Sequence, residues 1–197
     1  NVLVCPSDAT AIVPWMCTTN PDTVCPCKIE DLSYSYVGWL FNETYYMMDG
    51  MDANDPSVVS ADTAMNVLDP GFMAKMGLMW LNLSGVSNAE DGFALVSGDM
   101  SFNHTTEARE MTAYRFREGI ERFLITDINN PAATSRAQST LSIMWDSVSP
   151  VVGEFNHIPA GGNVLYLDGH VAFLRYPGEH PLSRVFTIIM GLQGQMP

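Results

Sequence analysis

Asn163-Val-Leu-Tyr-Leu-Asp168-Gly169-His-Val-Ala-Phe-Leu-Arg-Tyr176 sets two apolar, β-rich runs on either side of an Asp-Gly pair. A two-residue hairpin turn needs positive φ, which glycine adopts without steric cost, so Asp-Gly between such runs is a strong short-range hairpin signal. The stretch predicts a C-terminal β-hairpin, ended by Pro177-Gly178. Hairpin strands pair antiparallel, and an antiparallel sheet is therefore the frame into which the rest of the chain must fit.

Outward from the hairpin, Leu141 to Trp145 reads as another apolar strand, and Leu182 to Met190 as a final amphipathic helix. Asn130-Pro131 supplies an N-cap and a first helical residue for a short helix over about 131–139. Met111 to Phe116 stays open: Tyr114 and Phe116 alternate with Arg115 and Arg117, as in a strand, while Ile120, Phe123 and Leu124 have helical spacing. Phe93 to Val96, after Asp91-Gly92, reads as a short strand. Phe72 to Leu81 fits a helix or a strand because it lacks a clear polar face. Upstream, the pattern gives a helix over about 57–68 closed by Asp69-Pro70-Gly71, a loop from Asp49 to Asp55, and a strand from Ser33 to Phe41, which is dense in Tyr, Val and Trp. The sum is an α+β fold: an antiparallel sheet with a C-terminal β-hairpin and a few short helices, in a single domain over 1–197 whose residues 1–30 form an irregular Cys-rich segment.

Composition narrows the function classes. In 197 residues, 47% are hydrophobic and 16% charged, which is a folding rather than a disordered composition. The net charge of −13 repels phosphate backbones and excludes nucleic acid as a natural partner. Residues 1–100 carry 13 acidic and 2 basic side chains, residues 101–197 carry 9 and 7, so the N-terminal half suits cations or a more basic surface. No apolar run reaches the 18 or so residues of a membrane helix. The chain begins without Met and without a basic and apolar leader, so the expectation is a removed leader or an N-terminal part outside this sequence.

Cys5, Cys17, Cys25 and Cys27 are the only cysteines. Confined to the first 27 residues, they predict two local disulfides, 5–25 with 17–27 or 5–27 with 17–25, in preference to a four-cysteine zinc site, which would want paired C-x2-C knuckles. Sequons at Asn42, Asn82 and Asn103 fit the same extracellular setting and are candidate glycosylation sites.

For chemistry, the G-x-S-x-G, H-E-x-x-H, Walker A and G-x-G-x-x-G signatures are all missing. His157, Asp168, His170 and His180 crowd the C-terminal third and could assemble a metal-dependent hydrolytic site, but Asp168 is already accounted for by the turn and His170 follows it directly, so a structural role weighs more. Asp49, Asp52, Asn54 and Asp55 offer oxygen ligands suited to calcium, without EF-hand spacing, and Asp-rich turns are common without an ion. Met73, Met76 and Met79 at i, i+3 and i+6 suit adaptable packing in a core or a subunit interface better than soft-metal ligation.

The block from Phe155 through His157 and Asp168-Gly169 to Gly178 resembles the C-terminal signature of a prepilin-like family, relatives of type IV pilins and type II secretion pseudopilins, in which a His, about nine spacer residues and Asp-Gly follow one another. Arg117 to Pro131, Cys5-Pro-Ser-Asp8 and Ser33-Tyr-Ser-Tyr36 resemble the same group. Here the spacer between His157 and Asp168 is ten residues, and the apolar N-terminal helix with which family members begin is not among these residues. The resemblance implies a non-enzymatic, glycosylated structural subunit of an extracellular filament or pilin-like surface assembly, self-associating into a homopolymer, with His157, Asp168 and Gly169 as a structural motif. A soluble pseudopilin domain of a secretion system is the nearest alternative. A metal-dependent hydrolase and a calcium-dependent glycan-binding module are alternatives of other classes.

Overall fold

A computed structural model describes Cys5, Ser7, Thr23 and residues 33–120, 138–151, 153, 155–157 and 160–193. It is α+β with two antiparallel sheets. One has four strands in the order β1 (Tyr34–Ser35), β5 (Ser142–Asp146), β6 (Gly161–Tyr166), β7 (Val171–Arg175); the other has three in the order β2 (Trp39–Leu40), β4 (Arg109–Arg115), β3 (Met100–His104). Helices α1 (Glu43–Tyr46), α2 (Ala61–Ala64), α3 (Pro70–Ser84) and α4 (Ala89–Val96) fall between β2 and β3, and α5 (Arg184–Gln193) follows β7. Among the described residues no helix is long and apolar enough to cross a membrane.

The hairpin forms where the sequence places it. Val164 pairs with Ala172 and Leu165 with Val171, Gly169 N–H donates to the Tyr166 carbonyl at 2.9 Å, and Gly169 has φ +89°. Val164 is fully buried while Val171 and Phe173 on the outer strand are exposed, so β7 is an edge strand with one face on the core. The strand expected at 141–145 is β5, with an irregularity between Ser142 and Met144. The open segment takes the strand form, as β4 up to Arg115, and the last helix is α5, whose Val185, Phe186 and Ile188 are buried.

Four expectations need correction. The strand over 33–41 is broken into two pairs that join different sheets, because Gly38 has φ +78° and a side chain there would collide with the Arg115 guanidinium. The helix over 57–68 shrinks to α2, a single turn fixed by a Ser60/Thr63 capping box, after which Leu68 bridges to Met47. Asp69-Pro70-Gly71 does not close a helix but opens α3: Asp69 caps it by accepting Phe72 N–H at 2.9 Å and Pro70 takes the first position. Phe93–Val96 is helical, since Asn88 caps α4 by accepting Asp91 N–H at 2.9 Å and acidic residues fill its first turn. The helix expected over 131–139 lies outside the described residues but for its end.

The core gathers rings from distant segments. Phe41, Tyr46, Phe72, Trp145, His180 and Phe186 stack edge-on or tilted with centroids 4.5 to 6.3 Å apart. Trp145 of β5 and Phe186 of α5 meet at 5.5 Å, which fixes the last helix against the four-stranded sheet.

Candidate functional site

His157, Asp168, His170 and His180 are not brought together. Asp168 and His170 share the exposed hairpin turn, where Asp168 Oδ1 lies 2.6 Å from His170 Nδ1 and the imidazole stacks on Tyr166 at 4.4 Å. The His170 backbone N–H, and then its ring, hold the Asp168 carboxyl below the ordinary carboxylate range. His180 packs its ring into the aromatic core while part of the residue stays accessible, with Nδ1 3.1 Å from the Tyr46 hydroxyl; burial pushes its pKa down to about 3 and pushes the Tyr46 phenol well up.

His157 stands at the other end of β6. Its Nε2 lies 3.1 Å from Asp146 Oδ2, 3.1 Å from Asn163 Nδ2 and 3.7 Å from Cys5 Sγ, and its ring meets Phe173 of β7 edge-on. Asp146 is buried at the end of β5, and Asn163 clasps its Oδ2 twice, through backbone N–H at 2.6 Å and side-chain amide at 3.0 Å. Asn156 donates to the Ser33 carbonyl at 2.7 Å, which anchors the 155–157 loop beside the start of β1. Tyr34 of β1, opposite Asp146, has its phenol raised by burial and then by electrostatic repulsion from the Cys5 and Asp146 side chains. His157 therefore ties its loop to the sheet through side chains of β5 and β6.

Cys5 is a buried, free thiol, which does not support the disulfide tie at that residue; Cys17, Cys25 and Cys27 lie outside the described residues. Among the described residues, Cys5, Asp146 and His157 are the one group of three His, Cys, Asp or Glu side chains whose ligand atoms converge, all within 4.8 Å. Asp49, Asp52 and Asp55 do not converge in this way. Asp52 and Asp55 cap their own turns, accepting from Asn54 and Ser57 backbone N–H at 2.8 Å, and Asn54 is taken up by Gly178 and Arg184 of the C-terminal region.

Of the sequon residues, Asn42 caps α1 by accepting Thr44 N–H at 3.0 Å, whereas Asn82 on α3 and Asn103 on β3 are exposed. Sequence reasoning missed His104, which is buried: its Nε2–H donates to the Met47 carbonyl at 3.0 Å, and its Nδ1 lies 3.6 Å from the buried Asp69 carboxylate. The i, i+35 spacing of Asp69 and His104 gives no local signal for this contact.

A second feature is apolar. Helix α3 has Lys75 as its one charged residue and buries only Phe72. Met73, Met76 and Met79 pack half-buried on the core and, with Trp80, Leu83 and Ile189, line an open groove of about 520 Å³. Leu78 of α3 and Leu95 of α4 border a second depression that shares Trp39, Met79 and Met100 with the first, and Leu81 and Phe93 are 67% and 68% exposed.

No protein-family model, no curated protein and no solved structure matches this chain.

Proposed function

We propose that this chain is a structural subunit of an extracellular filament or pilin-like assembly, formed by self-association and carrying glycans. The observation that carries the reading is α3: fifteen residues with a single charged side chain, which bury only Phe72 and leave Leu78, Trp80 and Leu81 exposed, with α4 beside it burying none of its residues and exposing Phe93 and Leu95. Exposed apolar patches of this kind mark association surfaces. A second copy of the chain supplies the cover in a homopolymer. Charge contributes less to the contact than the sequence suggests, because Arg109 is paired with Glu107, Arg117 with Asp99 at 2.9 Å, and Arg115 lies over the Trp39 ring at 4.8 Å. The role is structural rather than catalytic, in keeping with the separation of His157 from Asp168 and His170.

Sedimentation velocity and negative-stain microscopy of the full chain test this. Concentration-dependent polymers are expected, and Leu81→Glu with Phe93→Glu, both at exposed positions, should dissolve them while leaving the circular dichroism spectrum unchanged. A wild-type chain that stays monomeric at every concentration, or polymers indifferent to the double substitution, would defeat the proposal.

A further inference from the structure

We infer that Cys5, Asp146 and His157 form a binding site for zinc. Sulfur, imidazole nitrogen and carboxylate oxygen are the ligand types zinc takes, and here one atom of each meets at one place. The two separations made by His157 fit the ion, and the sulfur and the carboxylate lie within 4.8 Å of each other. With metal–ligand bonds of about 2.3 Å to sulfur and about 2.0 Å to nitrogen and oxygen, tetrahedral angles put S and N about 3.5 Å apart and N and O about 3.3 Å apart. The structure has Cys5 Sγ 3.7 Å and Asp146 Oδ2 3.1 Å from the same His157 Nε2.

That both contacts fall on one ring nitrogen is the telling detail. A catalytic Cys-His-Asp relay uses the two nitrogens of the imidazole separately, one toward the nucleophile and one toward the acid. Here Asp146 and Cys5, together with the Asn163 amide at 3.1 Å, all meet Nε2, which has either one proton to give or one lone pair to offer. A metal ion between Cys5 Sγ, Asp146 Oδ2 and His157 Nε2 resolves the competition by taking a lone pair from each of the three atoms.

Charge and support also agree. A thiolate and a carboxylate neutralise a divalent cation, which removes the cost of holding charge at a site where Cys5 and Asp146 are 5% and 2% exposed. Asn163 fixes the carboxylate through two donated hydrogen bonds, as outer partners of metal ligands do. Uptake of one zinc ion releases one proton, from the Cys5 thiol, to solvent, with no change of oxidation state. The ion would staple residue 5 to the joined ends of β5 and β6.

The test uses the full chain, reduced, with zinc or cobalt as probe. One equivalent of zinc is expected, cobalt should give the visible bands of a tetrahedral site with a thiolate charge-transfer band, and zinc should protect Cys5 from iodoacetamide as read by peptide mass spectrometry. Cys5→Ser should weaken zinc binding by at least about 100-fold, and Asn163→Ala by about 10-fold to 100-fold, the usual effect of losing an outer partner. Joint replacement of Cys17, Cys25 and Cys27 by Ser should leave the equivalent in place. No zinc uptake overturns the assignment, as does an equivalent that survives Cys5→Ser or disappears with the other three cysteines. If a variant fails to fold, Cys5 alkylation in the wild-type chain decides: protection by zinc supports the site and an unchanged rate overturns it.

Discussion

His180→Phe should convert an acid-sensitive core into one that is less so. The imidazole sits among Phe41, Tyr46, Trp145 and Phe186, and burial depresses its pKa from 6.5 to about 3. The unfolded chain then binds a proton that the folded chain refuses, so this residue adds no penalty above pH 6.5 and withdraws stability progressively as pH falls from 6.5 toward 3. One such proton is worth about 1.4 kcal/mol per pH unit, so between pH 8 and pH 5 wild type loses about 2 kcal/mol through His180. At pH 5 the buried ring is still uncharged, and the figure depends only on the unfolded value. Phenylalanine keeps the ring contacts and leaves the Tyr46 hydroxyl with Ser183 Oγ at 3.4 Å. A fixed cost for the lost hydrogen bond is expected at pH 8. Urea unfolding of both proteins at pH 8 and pH 5 should show the wild-type advantage shrinking by about 2 kcal/mol, because the other titrating groups are common to both chains and cancel. The same difference at the two pH values would refute the reasoning, since it would mean that the ring is charged within the fold or reaches water.

Three further outcomes are expected. Tyr46→Phe should cost about 1 kcal/mol at neutral pH for the lost hydroxyl contacts; because burial raises the Tyr46 pKa, wild type should also lose stability above pH 10 more steeply than the variant in thermal melts. Asp69→Ala removes both the α3 cap and the acceptor of Thr105 N–H at 2.8 Å, and should destabilise by about 2–3 kcal/mol in urea, with Asp69→Asn costing less. Gly169→Ala meets no atom within 4 Å, so its expected cost of about 1 kcal/mol is a pure backbone effect of positive φ, readable as a lower melting temperature with an unchanged fold.

What was legible in the sequence was local. The hairpin is written in adjacent residues, Asp168-Gly169 between two β runs, and pairing with β5 and burial of Val164 then hold it. Helix starts were also written locally but are easily read backward: Asp69-Pro70-Gly71 contains residues that both end and begin helices, and only the apolar run of α3 behind it makes it a beginning. Asn88 with Asp91 is a capping signal that outranked the β-prone Phe93–Val96. Within 33–41 the composition favoured a strand throughout, and Gly38 overrode it, turning the chain from one sheet to the other.

The Cys5, Asp146 and His157 cluster could not be read in this way, since Cys5 and His157 are 152 residues apart and only the strand order β1-β5-β6-β7 brings the end of β5 beside the start of β6. The same order gives a physical meaning to the His-spacer-Asp-Gly spacing. His157 bonds to Asn163 near the start of β6, and Asp168-Gly169 turns the chain at its end, so the spacer measures an approach loop plus one strand of six residues, about 20 Å. A residue added before Gly161 lengthens only the approach. One added between Asn163 and Tyr166 would shift the strand register and carry Val164 from the core face to the solvent face. A ten-residue spacer is therefore compatible with the same hairpin if the extra residue lies ahead of Gly161.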